Sequence, residues 1–329
     1  MKRDLLSEIN EIKGRSEYNS RYEISIRLDE IEKSLSMNSS HDKELFKYIP
    51  IAVVACFEAF FRSIFKELVD FGKPYSDNVI KFNQSKNIKL DFDIINAIQA
   101  KSVTVGEFIS HILPLNNLDD INQNLSALMG LDFLQSLKTF KKNSVFESIT
   151  KPCESFTENS NQIIGDIKRA FDLRHIFCHE FAANIIIDTE VTLRLLVNSK
   201  IFIAQTSNFV HNLLYPNAPE TQSAMNEEAD KKYLTTEKEL IDLISKIKEA
   251  TKEIQYNVLE DSLFDRTISA WKEYRKVKAE IDGSYFKGGT IEPLIYCNSL
   301  ITTTEEKIES LKKEYNFDLK KFTRHSTLR

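Results

Sequence analysis

Between Ile49 and Phe61 the chain reads IPIAVVACFEAFF, and its apolar residues fall on nearly every side of the helix such a run forms. A helix like that cannot lie on a surface, so it is expected at the centre of a bundle, roughly from Lys43 to Phe71. Pro50 either kinks it or marks its true start. The GKP at 72–74 stops it. The longest unbroken apolar run, Ile49–Phe57, is far too short to span a membrane.

The rest of the chain agrees with helices. Only eight glycines and seven prolines interrupt 329 residues, 28% of which are charged. Leu5 to Leu35 has an amphipathic pattern that falters near Gly14 to Asn19. Short helices are expected near Phe92–Ala100, Val105–Ile112, Leu118–Leu128 and Leu131–Phe140, with polar loops such as KFNQSKN between them. Residues 75–158 thus read as a helical insertion between two core helices. A strong helix follows from Asn159 to Phe181, and Asp188–Thr189 caps another that runs to about Leu214. YPNAPETQSAMNEEAD reads as a linker. Beyond it come helices from Glu227 to about Val258, from Leu263 to Ile281, and from Thr302 to about Leu319, the last opened by the capping signal TTEE. The expected organisation is all-α: a first domain over 1–215, a linker at 216–225, and a small helical domain over 226–320.

The net charge of −5 gives no support for a general nucleic-acid coat protein, though it leaves room for a local basic site. MKRDLLSEINEIKG lacks the apolar core of a signal peptide. Cysteines 56, 153, 178 and 297 are widely separated, with neither metal spacing nor a dense disulfide pattern. A cytoplasmic protein with no membrane partner and no cofactor is the simplest expectation.

The chemistry concentrates in RHIFCHE, Arg174–Glu180, which holds two of the six histidines. Three readings stand. It is a solvated helix face, since Arg and His at such spacing recur by chance. It is a metal site, since His175 and His179 share a helix face, although HExxH is absent and no third ligand is evident. Or it is a metal-free RNA-cleaving site. There an imidazole moves protons near neutrality, and an arginine fork holds the phosphate under attack by the 2′-OH. Arg174 and His179 point about 140° apart on a regular helix, so a symmetric pair of motifs in a dimer would complete the cleft. Lys168 and Arg169 lie upstream and would extend a phosphate site. Cys178 reads as packing rather than nucleophile.

RHIFCHE resembles the signature of HEPN domains: Arg, a polar residue, three mostly apolar residues, His. IAVVACFEAFFRSIFKELVD is similar to the second HEPN helix, with Glu58 and Arg62 at its Glu-x-x-x-Arg-like element. The order of helix, insertion, motif helix and capped long helix also fits, over about 1–215. The resemblance implies a homodimer through the motif helices and a metal-independent endoribonuclease leaving 2′,3′-cyclic phosphate ends, in a family rich in toxins and abortive-infection effectors. It implies that Arg174 holds phosphate, His179 does acid–base work, His175 orients the site or the RNA, and Glu58 and Arg62 support it. For those two the alternative is an ion pair four apart on one helix. Some HEPN proteins are inert, so a binding, scaffold or toxin–antitoxin partner role stands beside the enzyme.

Residues 224–315 resemble the LprI-like lysozyme-inhibitor family. MNEEADKKYLTTEKELIDLISKI is similar to its opening, SAWKEYRKVKAEI to its Trp-x-x-Tyr-Arg segment, and GGTIEPLIYCNSLITTTEEKIESL to its Gly-Gly segment and closing helix. Glu228 and Ala279 stand where secreted members carry cysteines, and Cys297 remains. The resemblance implies a fold kept without its disulfides, Trp271, Tyr274 and Gly288–Gly289 as fold determinants, and an unidentified trigger or protein partner.

Overall fold

The computed structural model describes residues 4–15, 21–37, 43–86, 92–142, 144, 147–180, 185, 188–253 and 261–316. These residues form thirteen helices and no strand, so the protein is all-α. The chain divides into two compact units, residues 1–217 and 218–329.

In the N-terminal unit the Leu5–Leu35 pattern is divided into α1 (Leu5–Arg15) and α2 (Arg21–Met37). The all-round apolar stretch forms α3 (Lys43–Phe71). By length and composition Phe46–Phe71 is able to cross a membrane, but 61% of its apolar window is buried within the protein. Helix α3 packs against α2, α4, α6, α7, α9 and α10. Pro50 sits inside α3 rather than at its start, within the first two turns. Gly72, at φ +99, ends the helix in a conformation that side chains with a Cβ rarely adopt.

The insertion contains α4 (Tyr75–Lys86), α5 (Phe92–Gln99), α6 (Val105–Ile112), α7 (Leu118–Met129) and α8 (Phe133–Thr139). Helix α4 extends well into KFNQSKN, which its composition had marked as loop. Helix α6 is fixed at both ends by α3. Thr104 and Glu107 form a reciprocal capping box, and Asp70 accepts from Gly106 N–H at 2.8 Å and Thr104 Oγ1–H at 2.7 Å. Gly106 permits this approach, because a Cβ there would lie 2.4 Å from the Lys66 carbonyl. At the other end Arg62 bonds the carbonyls of Ser110 and His111, so α6 runs antiparallel to α3.

Helix α9 (Glu147–His179) is longer than its apolar pattern, but Asn159 interrupts it at φ −120°, ψ 20°. The expected start at Asn159 is therefore a kink between two helical segments. Helix α10 (Thr189–Leu214) begins on Asp188, whose side chain accepts from Glu190 N–H. Buried Asp166 joins α9 to α10 through two bonds from Arg194 and one from Asn198 at 2.7 Å. The core is aromatic: Phe61 lies against Phe57, Phe60, Phe133 and Phe202 with ring centroids 5.1–6.3 Å apart.

The C-terminal unit holds α11 (Gln222–Glu253), α12 (Asp261–Ser284) and α13 (Glu292–Glu314). Helix α11 takes up the QSAMNEEAD portion of the expected linker. Contacts from Asn226 to Thr290 and from Asp230 to Cys297 set α11 parallel to α13, and α12 runs back between them in sequence. The apolar core is small: Leu240, Leu243, Ile247, Phe264, Ile268, Ile308 and Leu311.

TTEE does not open a helix. It lies in the middle of α13, where the Thr303 and Thr304 hydroxyls bond back to the carbonyls of Ser299 and Leu300. The true start is Glu292, with Pro293 in the first turn. Before it, Gly288 takes φ +79° and donates its N–H to Glu292 at 2.6 Å.

Candidate functional site

Arg174–His179 of RHIFCHE form the last turn and a half of α9, and Glu180 follows its end. One side of this segment is drawn inward, with Phe171 and Leu173 buried and Ile176 and Phe177 half-buried. That anchoring turns His175, Cys178, His179 and Glu180 to solvent. Cys178 is thus exposed, a correction to its reading as a packing residue. The two imidazoles stand face to tilted face, with centroids 5.0 Å apart and planes at 52°. The spacing of four residues on one helix face dictates this pairing. His179 is the last residue of the helix.

Arg174 points to the neighbouring face and is half-buried. Its Nη2 lies 3.6 Å from Glu58 Oε1 on α3. The pair is loose and about a third exposed on each side, so it orients the guanidinium without enclosing it. Of the expected constellation, the structure brings together Glu58 with Arg174, and His175 with His179.

Arg62 is placed elsewhere. No ion pair joins it to Glu58 among the described residues, so the alternative reading of the two as an i,i+4 bridge does not hold. Glu58 turns toward α9, and Arg62 toward the end of α6. Burial pushes the Arg62 guanidinium below its ordinary range, against the opposing pull of Glu58. Lys168 is engaged by Asp119 of α7 at 2.8 Å, while Arg169 remains exposed on α9.

The described residues contain no group of three or more His, Cys, Asp or Glu side chains disposed to hold a metal ion. His175 and His179 are a pair without a third ligand of that kind.

In the C-terminal unit a second polar cluster was not foreseen. Arg275 is buried at 6% exposure and is held by Glu237, by Thr304 Oγ1 at 2.8 Å, and by the rings of Trp271 and Tyr233 at 5.0 and 5.7 Å. Lys272 joins Glu237 at 3.0 Å. Burial alone would raise the Glu237 carboxyl, but the bonds from Arg275 and Lys272 outweigh it and hold the group below its ordinary range. The WKEYR sequence carried the signal: Trp271 and Arg275 are four apart on one face. Cys297 donates to Asp230 at 3.0 Å, and burial, with that carboxylate beside it, pushes the thiol up to about 11.

Comparison with known families gives one match. The sequence model of the family described as lysozyme inhibitor LprI matches residues 216–311, so the C-terminal portion of the chain is LprI-like. No curated protein and no solved structure matches the chain.

Proposed function

We propose that the protein is a metal-independent endoribonuclease of the HEPN type, acting as a homodimer through its motif helices, with the LprI-like unit regulating it. The observation that carries this reading is the solvent-facing end of α9. It presents two imidazoles tilted against each other beside an arginine paired with Glu58 of α3. In the proposed reaction His179 takes the 2′-OH proton, or delivers one to the departing 5′-oxygen. Arg174 neutralises the phosphate, and His175 orients the ring or the RNA. The products are a 2′,3′-cyclic phosphate and a 5′-OH, so the atoms balance without an added water. A cytoplasmic toxin or abortive-infection effector is the biological role that fits this chemistry.

The test is cleavage of total RNA in EDTA by wild type and His179→Ala, with analysis of the fragment ends. Cyclic-phosphate ends from wild type alone are expected, with at least a hundredfold loss in the variant. Equal cleavage by both would remove the motif from the mechanism. Cleavage abolished by EDTA would return the histidine pair to metal chemistry.

A second reading draws on the C-terminal unit. Tyr274, Val277 and Ile281 form an exposed apolar row on α12, continued by Tyr285. In a family described as an inhibitor, such a surface suits a binding protein. A stable dimer that never cleaves RNA would favour this inert scaffold or partner role.

A further inference from the structure

Helices α1, α2, α3 and α6 enclose a cleft of about 220 Å³ in the N-terminal unit. It is built from different side chains than RHIFCHE. Ile9, Ile12, Ile24 and Ala59 supply apolar wall, and Arg62 and Lys66 are the cations that α3 contributes.

The charges in this cleft do not cancel. Lys13, Arg62 and Lys66 face Glu23 and Glu107, which leaves one cation in surplus. Glu107 is fully engaged: it accepts from Lys13 Nζ at 3.1 Å and from Thr104 N–H at 2.8 Å, and it pairs with Lys66 at 3.5 Å. Its two lysines are therefore partly neutralised by one carboxylate. No carboxylate lies within ion-pair distance of Arg62 among the described residues; Glu58, one turn away on α3, acts on it only at longer range and is paired with Arg174. Among the described residues its bonded partners are two neutral carbonyls, and both are reached through Nη1. That anchoring fixes the guanidinium plane and leaves Nη2 and Nε uncommitted. A half-buried cation whose direct partners are neutral carbonyls is costly, and an entering anion within ion-pair distance lowers that cost.

The size and walls narrow the ligand. The volume is that of roughly seven water molecules in the liquid, below the roughly 300–1,000 Å³ usual for drug-sized ligands. The lining is mostly apolar, and the surplus is one charge. We propose that this cleft binds a small amphipathic monocarboxylate, with its apolar body against Ile9, Ile12 and Ile24 and its carboxylate on Arg62. The site stands whether or not RHIFCHE cleaves RNA, because no residue of that motif lines it.

The experiment is calorimetric titration of the full chain with octanoate, with octan-1-ol as the uncharged counterpart. Two variants accompany wild type. Arg62→Gln removes the charge. Ile12→Glu sets a carboxylate into the wall at a position already 47% exposed, so the fold tolerates it. One saturable octanoate site is expected in wild type, weakened at least tenfold by each substitution, with octan-1-ol at least tenfold weaker than octanoate. If Arg62→Gln loses its helical signal, Ile12→Glu alone decides. Absence of a saturable site, equal binding of octan-1-ol, or octanoate binding unchanged in Ile12→Glu would each overturn the proposal.

Discussion

The N-terminal unit is centred on phenylalanine. Phe57, Phe60, Phe61, Phe65, Phe108, Phe133, Phe156 and Phe202 are essentially without solvent contact. In the C-terminal unit the apolar cluster numbers seven buried residues, of which Phe264 is the sole aromatic. The space that apolar side chains leave there is taken by Arg275, its two carrier rings, Glu237 and Thr304. The difference follows from size. A segment of about a hundred residues buries a smaller fraction of its surface than one twice as long, and needs additional ties. Disulfides would be one solution, but all four cysteines are free. The small unit is tied by a charge network, whose strength depends on every partner being present.

The sharpest way to break this contrast is to attack each unit at its own centre. Phe61→Ala removes the ring that touches four others, and a cost of about 3–5 kcal/mol is expected. Denaturant unfolding followed by far-UV circular dichroism should show the transition of the N-terminal unit shifted and that of the C-terminal unit unchanged. A single merged shift would show that the units do not unfold separately.

Arg275→Ala comes next in size. It leaves Glu237 half-enclosed, with Lys272 as its remaining cation. About 3 kcal/mol is expected, the low end of the cost of breaking a buried pair. The double variant Arg275→Met, Glu237→Met sharpens the point, since replacing both partners with apolar groups should recover most of the loss. If the double variant is as unstable as the single, packing against Trp271 and Tyr233, not charge, is what Arg275 provides.

How legible each unit was in the sequence follows the same division. Helix α3 could be read nearly to the residue from its all-round apolar run and the stop at Gly72, and α6 and α7 from an apolar period that agrees with Thr104 and Asn117 at their N-terminal ends and Gly130 at the C-terminal end of α7. Helix α4 was missed because its polar residues dilute the period, and α3 and α7 supply its packing. In α13 the Thr-Thr-Glu-Glu run resembled a cap, but a buried threonine in mid-helix can return its hydroxyl to the carbonyl four residues back. The histidine pair of the candidate site was legible from spacing alone. The fate of Arg62 was not, because the partner that claims it is a backbone end 48 residues away.

The smallest expected effect is on acid stability, where both units carry one comparable group. For Glu107 burial raises the carboxyl, but the Thr104 N–H and the two lysines prevail and hold it low, as Arg275 and Lys272 do for Glu237. A carboxylate depressed in the folded state adds stability above its unfolded value, about 4.3, and that stability fades as pH falls through the folded value. Both units should therefore weaken on the acid side of about pH 4.3. The free energy lost is similar in kind, but it is set against unequal cores. The C-terminal unit, with an apolar cluster of seven buried residues beside a network that needs its carboxylate, should reach its acid transition first. Circular dichroism and tryptophan fluorescence along a pH titration would separate the units, because the single tryptophan, Trp271, lies against Arg275 itself. Fluorescence changing at lower pH than the bulk of the helical signal would reverse the order, and with it the view that the charge network is the weaker support.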